Sequence, residues 1–268
     1  MRLRAVSLLA VPLVSLCGWT SSTAPADGWL DADQRRRADQ LVSAFENSAT
    51  EIRYDYAENL DDGRGVTAGR SGFTTGTCDA LDVVVDYTDR IGENVLSPFV
   101  PELERLCDEA SDDTSGLPED AYIAAWQEAA TDPEFRAAQD AILDRNSYIP
   151  AMEAADELGL QTALARAQIY DTTIQHGGGD DPDGVHALID QTNAVVGSPS
   201  EAGEAEWLNA FFDVRVDDLN NPANVETTEE WRESIDRVEC MRRIASTGND
   251  DLDGPITFTV YGDEFTID

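Results

Sequence analysis

Along most of this chain, apolar residues recur at the three- and four-residue spacing of helices. Between about Asp31 and Ala49, the residues Ala38, Leu41, Val42, Phe45 and Ala49 share one face, which predicts a helix buried along that side. Glu46 follows Val42 by one turn and stands at the rim of this face. From Ile52 the period changes. Tyr54 and Tyr56 alternate with polar residues, and Gly63, Gly65, Gly69 and Gly72 recur closely after them. That pattern predicts a small antiparallel sheet with the turn Asp61-Asp62-Gly63-Arg64-Gly65 at its edge. Helical spacing then returns over about 79–92 and 98–109. A linker-like break comes next at 113–120, and then helices over about 118–130, 132–157, 160–175, 183–196, 203–220 and 227–246. A terminal strand is expected from Ile256 to Tyr261.

Trp126, Phe135, Ala138, Ile142 and Leu143 read as core, as do Trp207, Phe211 and Phe212. Trp231 is read as core before it is read as a stacking surface for a sugar ring. The run Leu160 to Ile174 is almost wholly apolar or small, with Asp171 inside it, and a charge placed there needs a partner. Pattern alone gives an α-rich α+β protein without internal repeats.

The first 26 residues differ in kind. Met1-Arg2-Leu3-Arg4 is a basic start, Ala5 to Leu16 is apolar, and Ala24-Pro25-Ala26 offers a small-residue cleavage site, which together read as an export signal. Cys17 after Val14-Ser15-Leu16 partly matches a lipoprotein signal, so the protein is expected outside the cell, secreted or lipid-anchored through Cys17. No later stretch reaches the ~18 apolar residues of a membrane span. Residues 27–268 are expected to form the working domain, in two lobes.

Charge narrows the partners. There are 54 acidic and 18 basic residues, a net charge of −36, and every cation is Arg. Such a surface repels nucleic acid and anionic membranes. It reads first as a solvated acidic coat of the kind that keeps a protein soluble in salt, and second as an attraction for a polycation. At molar salt the Debye length is about 3 Å, so steering would be largely lost there. No Cys/His spacing suggests a metal site.

Several blocks carry chemistry in a fixed order. They are Glu46-Asn47-Ser48; Tyr54-x-Tyr56; Asp62-Gly63-Arg64-Gly65-x-Thr67-x-Gly69; Gly72-Phe73-x-x-Gly76-Thr77-x-Asp79; Tyr170-Asp171 with His176-Gly177; Leu208-Asn209-x-Phe211-x-Asp213-x-Arg215; and Thr259-x-Tyr261-Gly262-Asp263. In order and approximate spacing this resembles the glycoside hydrolase family 46 chitosanases, over roughly residues 30–268. The resemblance implies a mainly helical, two-lobed lysozyme-like fold with a small antiparallel sheet and a cleft between the lobes.

It also assigns roles. Glu46 would protonate the leaving oxygen of a glycosidic bond. Asp62, chosen over Asp61 because it directly precedes Gly-Arg-Gly, would activate a water with help from Thr67. An inverting pair of this kind stands roughly 6.5–9.5 Å apart, leaving room for that water. Locally, Asp and Gly in such a turn need no function, since Asp caps its own backbone and Gly accepts positive φ. Arg64 would keep Asp62 ionised. Substrate contacts would include Arg64, Asp79, Tyr56, Glu58 and His176, although Asp79 is also placed as a helix cap and His176 as the end of one. Asp171 would pair with Arg215 and Arg232 in a network supporting the catalytic acid.

Cys78 stands where the family pattern has glycine. If the helices over 79–92 and 98–109 are antiparallel, a Cys78–Cys107 disulfide is reasonable in an exported protein, leaving Cys240 as a buried free thiol.

The expected function is therefore an exported endo-acting hydrolase of β-1,4-glucosamine links in chitosan, working with inversion, as a monomer and without cofactor. A muramidase or chitinase on the same scaffold and a non-catalytic polysaccharide-binding protein are the alternatives.

Overall fold

The computed structural model describes residues 29–60, 63–109, 111, 113–225 and 228–268. The export signal over 1–26, Cys17 and the Asp61-Asp62 pair lie outside them. In chain order the elements begin with helix α1 (Ala32–Asn47) and strands β1 (Ala57–Asn59), β2 (Val66–Ala68) and β3 (Phe73–Thr74). Helices α2 (Asp79–Ile91), α3 (Val100–Glu109), α4 (Glu119–Ala129), α5 (Pro133–Leu143), α6 (Ile149–Leu158) and α7 (Ala163–His176) succeed them. After these come α8 (Val185–Val196), α9 (Pro199–Ala202), α10 (Glu204–Asn220), α11 (Thr228–Glu233) and α12 (Ile235–Ser246), then strands β4 (Ile256–Val260) and β5 (Asp263–Ile267). The fold is mainly helical with a small antiparallel sheet, as expected, and the terminal strand adds a second, two-stranded antiparallel sheet that was not. The described residues group into two compact units, residues 29–51 with 147–268 and residues within 52–146.

In the first unit, α1 starts where Asp31 accepts from the Asp33 and Gln34 amides while Gln34 reaches back to the Asp31 amide, a reciprocal cap. Its buried face is Ala38, Leu41, Val42, Ala44 and Phe45. Arg36 and Arg37 donate to the Asp268 carbonyl at 2.6 and 3.0 Å, fastening α1 to the end of the chain. Helix α7 is buried on nearly every side, which explains why its sequence shows no polar face. Trp207, Phe211 and Phe212 of α10 point into this core, and Cys240 is a buried free thiol. Strands β4 and β5 form a hairpin with Val260 opposite Asp263.

In the second unit, β1, β2 and β3 form a three-stranded antiparallel sheet in that order. Thr67 lies on the central strand, opposite Glu58 on one side and Thr74 on the other. Trp126 and Phe135 meet edge to face at 4.9 Å, and Tyr87 and Phe135 do so at 5.0 Å, tying α2, α4 and α5 together. Cys78 and Cys107 are joined by a disulfide, their Cα atoms 4.7 Å apart.

Three boundaries differ from the sequence expectation. The helix expected over 132–157 is divided into α5, a five-residue π-helical turn and α6, because Pro150 in the first turn of α6 has no amide to continue the ladder. The helix expected over 227–246 is two helices hinged at Ser234, whose hydroxyl donates to the Trp231 carbonyl at 2.7 Å. Cys78, in the left-handed region at φ 71°, precedes α2 in the cap position, so Asp79 is its first helical residue rather than its cap.

Candidate active site

Glu46 sits in the last turn of α1, one residue beyond the buried Phe45. That position turns its carboxyl inward, and the side chain is 5 % exposed. Arg237 of α12, 4 % exposed, donates from Nη1 to Glu46 Oε1 and from Nε to Asp171 Oδ1 at 2.8 Å. Arg215 of α10 donates from Nη1 to Asp171 Oδ2 at 2.7 Å and from Nη2 to the Gln175 amide oxygen. Asp171 of α7, 1 % exposed, is therefore held on both oxygens by two guanidinium groups. Two carboxylates and two guanidiniums alternate in one buried row.

The row explains the electrostatics. Burial pushes the Glu46 carboxyl above its ordinary range, Arg237 opposes the shift, and Asp171 adds to it. Burial lowers the Arg215 pKa despite its carboxylate partner, whereas Arg237, between two carboxylates, is raised. Burial also raises the Tyr261 phenol, whose buried hydroxyl has no hydrogen-bond partner among the described residues. A carboxyl whose pKa is raised by burial, yet oriented by a cation, suits proton donation.

The second unit carries another group of candidates. Thr67 Oγ1 is buried without a hydrogen-bond partner among the described residues. Glu58, opposite it in register, is exposed and accepts from the Tyr56 hydroxyl at 3.3 Å. Arg64 is half-buried just before β2. Asp79 Oδ1 accepts from the Thr74 amide at 2.8 Å, the Thr77 hydroxyl at 2.7 Å and the Ala80 amide at 3.0 Å. Burial nonetheless pushes the Asp79 carboxyl up to about 6.

A model of glycosyl hydrolase family 46 matches residues 40–256. The chain belongs to glycoside hydrolase family 46. The chitosanase of Bacillus subtilis (strain 168) is 56 % identical over 229 residues, covering 85 % of this chain and 82 % of the relative. A mutant chitosanase from Bacillus subtilis MY002, solved with 6 GlcN, is 54 % identical with a TM-score of 0.82 over 89 % of this chain and 100 % of that one. The Gynuella sunshinyii GH46 chitosanase, solved with chitotetraose, is 44 % identical with a TM-score of 0.82 over 89 % of this chain and 99 % of that one.

Within this family 46 chain, two side chains stand in surroundings other than those expected. Arg232 is not in the charge row. It lies on α11, 46 % exposed, pairs with Glu229 at 3.1 Å and donates to the Asn220 carbonyl at 3.1 Å. The hinge at Ser234 separates it from α12, and Arg237 takes the place expected of it. The sequence does carry a signal for Arg237: it shares the helical stripe of Met241 and Ile244, and a charge on an apolar stripe requires a buried partner. His176, expected to contact substrate, is 1 % exposed with both ring nitrogens engaged, Nε2 by Arg215 at 3.2 Å and Nδ1 by the Asp183 carbonyl at 2.9 Å. The ring of Trp231 stacks edge-on against it at 5.0 Å, a packing role.

Proposed function

We propose that the protein is a secreted endo-chitosanase that cleaves β-1,4 links between glucosamine units with inversion at the anomeric carbon. Glu46, in its protonated form, gives its proton to the glycosidic oxygen as the C1–O bond breaks. Asp62 takes a proton from a water, which forms the new C1–O bond from the opposite face. Thr67 holds that water through the hydroxyl that the sheet leaves unpaired, and Arg64 keeps Asp62 ionised. The acidic residues Glu58 and Asp79 receive substrate ammonium groups, and Tyr56 aligns Glu58. Residues 1–26 direct export and leave Asp27 near the mature start.

The observation that supports this reading most is the state of Glu46: a side chain 5 % exposed, raised by burial and held by Arg237. In a family whose relatives are chitosanases, such a carboxyl has the properties of the acid. The test is hydrolysis of fully deacetylated glucosamine oligomers, with the first product followed by NMR. The α-anomer should appear first, and Glu46→Gln should slow turnover by about 10²–10⁴-fold while remaining folded. Initial β-anomer would remove inversion, and turnover near the parent rate in Glu46→Gln would remove Glu46 as the acid. Preference for chitin or peptidoglycan over chitosan would reassign the substrate.

A further inference from the structure

The charge row does not end at Arg215. Arg215 donates from Nε to His176 Nε2, so that nitrogen carries the lone pair and the ring proton resides on Nδ1. The Nδ1–H faces the Asp183 carbonyl at 2.9 Å and Asp218 Oδ2 at 3.5 Å. Asp183 and Asp218 are both buried, at 8 % and 9 % exposure, and Asp218 Oδ2 has no hydrogen-bond partner among the described residues. Both oxygens of Asp183 also accept from the Ala223 amide at 3.0 Å.

We propose that His176 is a positioning residue for the catalytic acid: as an imidazole that accepts from Arg215 Nε and turns its Nδ1–H to the Asp183 carbonyl, it fixes the Arg215 guanidinium against Asp171 and, through Arg237, supports Glu46. This rests on the reading of Glu46 as the acid.

The alternative charge state shows why Asp218 matters. An ionised Asp218 beside Nδ1 would favour an imidazolium, whose Nε2–H would confront the Arg215 Nε–H, donor against donor. The groups facing Asp218 are Asp181 and Asp183 from the loop after α7, Asp217 on its own helix and His176 on α7. Those facing His176 are Arg215 on α10, Arg237 on α12 and the Trp231 ring on α11. Burial and the two arginines hold the His176 pKa well below its ordinary value, in keeping with a neutral ring, and burial together with the carboxyl neighbours raises Asp218 to about 8.

The chain has only two histidines, so ¹⁵N-histidine labelling of the full protein gives two rings to assign, with His186→Gln separating them. His176 should show the neutral Nδ1–H tautomer from pH 5 to 7, and Asp218→Asn, which keeps a neutral group in place, should preserve it. His176→Leu should lower kcat about tenfold with little change in KM. It should also move the alkaline limb of kcat up by about half a pH unit, because loosening Arg215 leaves the Asp171 charge less compensated at Glu46. An Nε2–H tautomer or an imidazolium in the wild type overturns the proposal, whether or not His176→Leu folds. So does a folded His176→Leu whose limb has not moved. If Glu46→Gln is itself active, the failure belongs to the assignment of the acid and not to His176.

Discussion

Arg237 is bonded to two buried carboxyl groups, and replacing it by methionine removes the cation from both at once. At an effective dielectric near 20, a pair of unit charges about 4 Å apart is worth about 4 kcal/mol. Regained solvation of the lost guanidinium offsets part of that, and breaking a buried pair by deleting one partner typically costs 3–5 kcal/mol. On the per-kcal shifts typical of chains of this size, 268 residues, this lowers the melting temperature by about 6–20 °C. The sign with pH is specific. Glu46 is already raised above its ordinary value by burial, and without Arg237 it rises further. A carboxyl raised in the folded state adds stability below its unfolded pKa and loses it as pH rises through the folded value. The deficit of Arg237→Met should therefore be smaller at pH 4 than at pH 7, growing as the Glu46 carboxyl is asked to ionise without its cation. Arg232→Met, at the position first expected to hold this role, should change the melt by less than about 1 kcal/mol, since its pair with Glu229 is exposed. Thermal melts of both variants at the two pH values decide the matter. An equal loss at pH 4 and 7 for Arg237→Met, or an Arg232→Met as unstable as Arg237→Met, would refute the reasoning.

Three other outcomes are expected. Replacing Cys78 and Cys107 together by serine opens a loop of sequence separation 29 and should cost about 3.5 kcal/mol on the chain-entropy account, read as a lower denaturant midpoint that reducing agent does not lower further. Gly69→Ala places a Cβ at φ +75°, 2.5 Å from Gln139 Oε1 and 2.9 Å from the Trp126 ring, displacing the amide oxygen that accepts from the Arg70 amide. A loss of about 2 kcal/mol or more is expected, and an unchanged melt would contradict the crowding. Asp79, raised to about 6, favours the folded state in its protonated form and loses that contribution as pH rises through about 6. The stability of Asp79→Asn relative to the parent should therefore improve between pH 5 and 7, and a constant difference in their melts would remove burial as the cause of the shift.

Where one physical cause dominates, the sequence is easy to read. The buried face of α1 follows a single apolar stripe, and Glu46 at its rim is placed by that stripe. Asp171 is conspicuous because no other charge but Arg166 lies within the apolar run around it. The misses arise where two causes compete. Apolar spacing continues across Pro150, so periodicity alone joins α5 to α6, while a single missing amide divides them. Strand β5 escapes the pattern because Asp263, Glu264 and Thr266 are exposed and only Phe265 and Ile267 signal a strand. Its turn offers a better cue: Tyr261 and Gly262 both have positive φ, at 54° and 88°, a two-residue hairpin connection that glycine alone of the pair advertises. Choosing between Arg232 and Arg237 requires knowing where the helix breaks, and Ser234 is a weak breaker on paper.

The cations of this row have to be arginines, and the fork of the guanidinium explains why. Arg237 serves Glu46 and Asp171 with different nitrogens, and Arg215 divides three nitrogens among His176, Asp171 and Gln175. A lysine ammonium is a single point at the end of a flexible stem and cannot hold fixed directions to several acceptors of this spacing. Burial also acts differently on the two side chains. It can bring a lysine into its titrating range, whereas a guanidinium lowered from its ordinary value stays charged throughout the pH range in which a protein is folded. With both cations permanently charged and Asp171 held on two sides, the carboxyl that burial pushes toward its protonated form is Glu46, at the end of the row. A carboxyl so raised, at the end of a row of fixed guanidiniums, is the electrostatic arrangement a general acid needs.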